Sequence, residues 1–81
     1  MGKKTDITTA FGKTLRRLRI AKKLTQEELG LEAGLRRTFI SSLELGQKQP
    51  SLETIQKLAA VLELSISKLL QQVEKDLNQK T

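Results

Sequence analysis

Between Thr25 and Gly46 the sequence starts a helix and stops it, twice, and this punctuation constrains the chain more than any other feature. Thr25-Gln26-Glu27-Glu28 is a capping box: the threonine hydroxyl can accept from the Glu28 amide while the Glu28 carboxylate reaches back to the Thr25 amide. Gly34 follows Ala33 at the position where a left-handed residue ends a helix. A second helical pattern begins two or three residues later, with Ile40, Leu43 and Leu35 pointing inward and Gly46 closing it. Helices this short do not persist alone in water. They form only by burying a face against other elements, so the chain must build a bundle around a tight helix-to-helix turn.

The flanking sequence supplies those elements. Phe11, Leu15 and Leu18 fall at i, i+4 and i+7, one buried face of a first helix. Thr8 or Thr9 is its expected N-cap. It ends near Lys23. Gln47-Lys48-Gln49-Pro50 reads as a loop. Ser51 caps a fourth helix with the apolar stripe Leu52, Ile55, Leu58, Ala59 and Leu62. Ser65 caps a fifth, in which Ile66, Leu69, Leu70, Val73 and Leu77 are apolar. No segment alternates in the manner of a strand. The expectation is an all-α fold of five short helices: a flexible basic N-terminus over 1–7, one domain over 8–78 and a tail over 79–81.

Composition narrows the function. With no cysteine and no histidine, disulfides and the usual structural zinc sites are excluded, and so are the commonest general base and the thiol nucleophile. Two phenylalanines are the whole aromatic complement, too few for a platform that stacks single-stranded bases. No apolar run is long enough to span a membrane, and no apolar stretch follows Lys3 and Lys4 as in a secretory signal, so the chain reads as soluble and cytoplasmic. The net charge is +6 and unevenly placed. Residues 1–23 carry eight bases and one acid, whereas residues 24–46 carry two bases and four acids. Such a basic end suits a polyanion, although a solubilising lysine surface would look the same by charge alone.

The residue pattern is more specific than the spacing. Phe11-Gly-Lys-Thr-Leu-Arg-Arg-Leu-Arg19, Leu24-Thr-Gln-Glu-Glu-Leu29, Ala33-Gly-Leu35, Ile40-Ser-Ser-Leu-Glu44, Gly46, Pro50-Ser-Leu-Glu-Thr-Ile55 and Leu58-Ala59 resemble the Cro/repressor-type, or Xre, helix-turn-helix family, without gaps from about Phe11 to Leu70. The resemblance implies a lambda-repressor-like bundle whose third helix enters the DNA major groove. It places base reading on Arg37, Thr38 and Ser42, with Arg36 at the edge, and phosphate binding on Gln26, Thr25, Ser41 and Lys48. Physical chemistry agrees in part. Gln26 sits where free amides and the helix dipole favour a phosphate oxygen, and an arginine can donate twice to guanine O6 and N7. The resemblance also implies that Gln26 braces the start of the recognition helix and that Arg19 and Glu44 form a structural salt bridge.

Three departures stand out. Relative to the family, Arg36 replaces the usual Ser or Thr cap, and Lys23 replaces the glycine that often ends helix 1, which implies strain or an altered turn there. Gly30 replaces an alanine, which would ease a close crossing of helix 2 with helix 3. Leu35-Arg36-Arg37-Thr38-Phe39-Ile40-Ser41 further resembles the recognition-helix start of restriction–modification controller proteins. Phage-type repressors and antitoxins of this size remain open, the latter with a toxin partner, and so does an adaptor that binds protein and not DNA. A membrane-surface helix and an enzyme fit worst.

The resulting expectation is a homodimeric regulator of transcription on a pseudo-palindromic double-stranded DNA operator, acting through occlusion or recruitment of RNA polymerase. No cofactor, metal, small-molecule effector or membrane partner is expected. Ile66, Leu70, Val73 and Leu77 form a heptad-like stripe that a four-helix core leaves without cover, which makes helix 5 the expected dimer interface. The alternative is that helix 5 folds back over helix 1.

Overall fold

The computed structural model describes residues 6–79. It contains five helices: α1 (Ile7–Ala21), α2 (Gln26–Ala33), α3 (Arg37–Glu44), α4 (Leu52–Val61) and α5 (Ile66–Asn78). Among the described residues there is no strand. The start of α1 corrects the sequence expectation. Asp6, not Thr8 or Thr9, is the N-cap, its carboxylate accepting from the Thr9 amide at 3.1 Å. Ile7 therefore belongs to the domain, and of the N-terminal stretch expected to be flexible only residues 1–5 lie outside the described residues. The other three named caps stand as expected: Thr25 with its reciprocal Glu28, Ser51 and Ser65.

The first four helices end alike. Each is followed by one left-handed residue, Lys23, Gly34, Gly46 or Glu63. The next amide then reaches back to the last turn, as in Leu24 N to Arg19 O (3.1 Å) and Leu64 N to Ala59 O (2.9 Å). At Lys23 and Glu63 a Cβ makes that conformation cost about 1–2 kcal/mol. An ion pair between Lys22 and Glu63 ties these two strained turns together. The altered turn expected at Lys23 is thus present, and Glu63 has a counterpart that the sequence did not flag.

Helix α1 lies between α3 and α5 and joins both to the core. Phe11 and Leu15 point into a cluster with Leu29, Ile40, Leu43, Leu58 and Leu69, all nearly or fully buried. On its α3 side Gly12 lets two backbones meet. A Cβ there would lie 2.7 Å from the Glu44 carbonyl oxygen and closer still to that of Leu43. Gly30 acts similarly where α2 meets the turn into α3: a Cβ would sit 2.6 Å from the Leu35 carbonyl oxygen and 3.5 Å from the amide nitrogen of Arg37, the first residue of α3.

Two apolar expectations are corrected. Leu52 is 78% exposed, because it is the first residue after the Ser51 cap and the core begins a turn later at Ile55. Val73, expected on a dimer face, is 1% exposed, and Leu77 packs partly against the same core. Helix α5 folds back along α1, where Ala10 and Thr14 leave room for it. A polar clasp fixes the pairing. The buried Thr14 hydroxyl lies within hydrogen-bonding distance of the Ala10 carbonyl and the Asp76 carboxylate, and Arg17 reaches Asp76 at 3.0 Å and Gln72 at 3.2 Å. Burial pushes the Asp76 carboxyl up, but the Thr14 hydroxyl and the Arg17 guanidinium outweigh it and hold the pKa below its ordinary value.

Gly12 gives a direct test of the α1–α3 contact. Helix propensity alone predicts that Gly12→Ala stabilises by about 1 kcal/mol. The contact predicts instead a net loss of about 1–3 kcal/mol, because backbone must move. Thermal melts should show a lower midpoint; a midpoint at or above that of the unsubstituted protein would mean α1 lifts freely.

Candidate nucleic-acid interface

The site is built on a helix held from behind. Ile40 and Leu43 bury one face of α3, which turns Arg37, Thr38, Ser41 and Ser42 away from the core. Arg36 is the N-cap, in extended conformation and with no side-chain hydrogen bond. Arg36, Arg37 and Thr38 are exposed, whereas Ser41 and Ser42 are half-buried. The Ser42 hydroxyl donates to the Phe39 carbonyl at 2.8 Å, so toward an outside partner it offers lone pairs and no proton. Leu45, to which the sequence reading gave no role, completes this strip: it falls at helical spacing after Thr38 and Ser42 and is 67% exposed. The missed signal was an apolar residue between Glu44 and the closing glycine, off the buried stripe.

The C-terminal end of α3 is locked by one carboxylate. Arg19 grips Glu44 with two hydrogen bonds, Nε to Oε2 at 2.6 Å and a terminal nitrogen to Oε1 at 3.0 Å. The remaining guanidinium nitrogen donates to the Leu24 carbonyl at 2.8 Å, fixing the turn after α1. The Glu44 side chain is 3% exposed and that of Arg19 11%. The hydrogen bond that Arg19 donates to Glu44 raises the already high pKa of the guanidinium despite its burial, so Arg19 stays charged. The expected salt bridge is therefore present.

Gln26 requires a correction. It does not brace the start of α3: its side-chain amide donates to Glu44 Oε1 at 3.0 Å, at the helix end. The same bond places Gln26 at the first turn of α2 with one amide proton committed and one available. Thr25 is exposed beside it, its hydroxyl oxygen accepting from the Glu28 amide at 3.0 Å. Lys48 is exposed in the loop beyond α3. Arginine-tipped α3, the α2 start and this loop thus bring most of the expected contact residues to exposed or half-exposed positions. Among the described residues no group of acidic side chains could hold a metal ion, and no helix is long and apolar enough to cross a membrane.

Comparison with known proteins agrees with this geometry. The helix-turn-helix family model matches residues 15–69. The chain belongs to this family. It is 38% identical over 72 residues to the control protein C.MunI of a Mycoplasma species, covering 88% of this chain and 97% of that one. It is 36% identical over 66 residues to the control protein C.BamHI of Bacillus amyloliquefaciens, covering 80% and 82% respectively. Among solved structures, the restriction–modification controller protein C.AhdI of Aeromonas hydrophila superposes with a TM-score of 0.74 at 42% identity, covering 76% of this chain and 94% of that one.

The buried pair should behave as a unit. Arg19→Ala and Glu44→Ala should each destabilise the fold by about 3–5 kcal/mol, since each strands a buried charge. The double variant should recover part of that loss. Melts of the four proteins decide it, and strictly additive losses would contradict the coupling.

Proposed function

We propose that the protein is a controller-type regulator of transcription that binds a pseudo-palindromic duplex site as a homodimer, with α3 in the major groove. The observation that carries this reading is the division of labour on α3. One face and the C-terminal end are fixed by the core and by Glu44, while Arg37, Thr38 and Ser42 face out with no structural duty beyond one local hydrogen bond. Arg37 suits a guanine by two parallel hydrogen bonds; Thr38 offers a methyl and a hydroxyl, and Ser42 an acceptor. Gln26, Thr25, Ser41 and Lys48 serve the phosphates. The likeness to C.MunI, C.BamHI and C.AhdI supports a role in controlling restriction–modification genes. Occupancy of the site would act by occluding or recruiting RNA polymerase.

Salt and substitution test the reading together. A dimer making 6–10 phosphate contacts should lose about a thousandfold or more in affinity between 50 and 200 mM salt. Arg37→Ala should cost about 1–3 kcal/mol on the preferred duplex and relax selection at one base pair per half-site, whereas Gln26→Ala should weaken all duplexes alike. An unchanged site profile in Arg37→Ala would remove α3 from the groove.

The dimer face needs redrawing from the stripe read in the sequence. Val73 belongs to the subunit's own core, but Ile66 (41% exposed) and Leu70 (36%) remain outside. Leu70 and Ile7, the latter 57% exposed, flank a groove of about 170 Å³ floored by Phe11, Ile55 and Val73 and edged by Pro50. A two-fold axis beside this groove lets one apolar patch serve both subunits. It also has to set the two copies of α3 about 34–36 Å apart, one turn of DNA. Sedimentation at micromolar concentration should show a dimer that Ile66→Asp/Leu70→Asp converts to a folded monomer. A double variant that stays dimeric would exclude this face.

A further inference from the structure

Helix α1 carries several cations, and most of those flanking its buried face are accounted for. Arg17 points to α5 and pairs with Asp76 at 3.0 Å. Lys22 pairs with Glu63 at the end of α4. Arg19 is spent on Glu44. Lys13 and Arg16 are different: both are exposed, and among the described residues neither makes an ion pair, but Arg16 lies closer than Lys13 to Gly12 around the helix.

Its position follows from helix geometry. Gly12 meets the carbonyl oxygens of Leu43 and Glu44, and Arg19 bonds the Glu44 side chain, so both residues mark the face of α1 that looks at the end of α3. Arg16 lies four residues after Gly12 and three before Arg19. At about 100° per residue it falls within roughly 60° of both. It therefore stands at the solvent edge of the α1 face turned to the end of α3. The Glu44 carboxylate makes no bond to Arg16; its oxygens accept from Arg19 twice and from Gln26 once. The result is an uncompensated guanidinium on the edge of α1 that borders the Glu44 junction, which Gln26 also joins.

We propose that Arg16 is a further DNA contact, binding a backbone phosphate next to the one that Gln26 receives. This rests on the DNA-binding reading above and adds to it a residue that neither the sequence pattern nor the recognition helix indicates. The chemistry is that of a phosphate oxygen held by a planar, always-charged donor at a position with no competing anion. Such a contact carries no base information; it sets the register of α3 on the duplex.

The test uses the full chain and titrates Arg16→Ala, Arg16→Lys and Lys75→Ala against several duplexes between 50 and 200 mM salt, with a melt of each variant. Lys75 is an exposed cation on α5, beside Asp76 and across α1 from α3, and controls for the general field. Arg16→Ala should melt like the unsubstituted protein and weaken every duplex by a similar factor. Its log–log salt slope should be shallower by about two per dimer, so that its deficit shrinks about tenfold from 50 to 200 mM. Arg16→Lys should retain the slope, and Lys75→Ala should leave it unchanged. A lowered melting point with an unchanged slope would assign Arg16 to the carbonyl end of α3 and overturn the proposal. An equal loss of slope in Lys75→Ala would overturn it too, by showing a diffuse field. If the unsubstituted protein binds no duplex at any salt, the DNA reading itself fails and this contact with it. Duplex binding with an unaltered Arg16→Ala slope removes the contact alone.

Discussion

Glu44 is a carboxylate almost withdrawn from water, and three separate parts of the chain meet on it. Arg19 brings α1, the Leu24 carbonyl joins through the same guanidinium, and Gln26 brings the start of α2. A buried charge of this kind adds little net stability compared with a well-packed apolar residue. What it does is make every other arrangement expensive, since a slip of α3 by one turn would strand an arginine and a carboxylate together. Gly12 reinforces the same point by letting α1 sit directly on the carbonyl end of α3. The recognition helix is thus seated by electrostatics at its end and by Ile40 and Leu43 along its side.

This seating separates folding from assembly. Val73 and the Thr14–Asp76–Arg17 clasp attach α5 to α1 within one subunit, so the bundle closes without a partner. Only the outer edge of α5, at Ile66 and Leu70, is left for a second copy under the proposed dimer. A substitution at that edge addresses association, whereas one at Val73 addresses the fold.

The sequence made the helices and the caps at Thr25, Ser51 and Ser65 legible because those signals are local: a hydroxyl three residues before an amide, a glycine after the last buried residue. At α1 two nearby threonines obscured the Asp6 cap. The Arg19–Glu44 pair was legible only through family resemblance, as no local rule links two residues so far apart. The burial of Val73 was not legible, because its periodicity is the same whether α5 meets α1 or another chain. Gly12 carried a signal that was passed over. A glycine inside an otherwise strong helix costs about 1 kcal/mol, and such a cost points to a close backbone approach. The shift of Gln26 from the start of α3 to its end is a matter of side-chain direction, which sequence spacing does not contain. Among the expected contact residues Thr25, Arg36, Arg37, Thr38 and Lys48 are exposed, and on α3 the reason is legible, because the buried stripe fixes the opposite face.

The side chains of Arg36, Arg37 and Thr38 form none of the bonds that hold the bundle together, and Ser42 forms only one, within its own helix turn. Replacing them leaves the Glu44 junction, the Gly12 contact and the core as they are. Under the proposed DNA-reading role, target preference can therefore change by single substitutions, without compensating changes elsewhere in the chain. The same framework can be issued with many addresses.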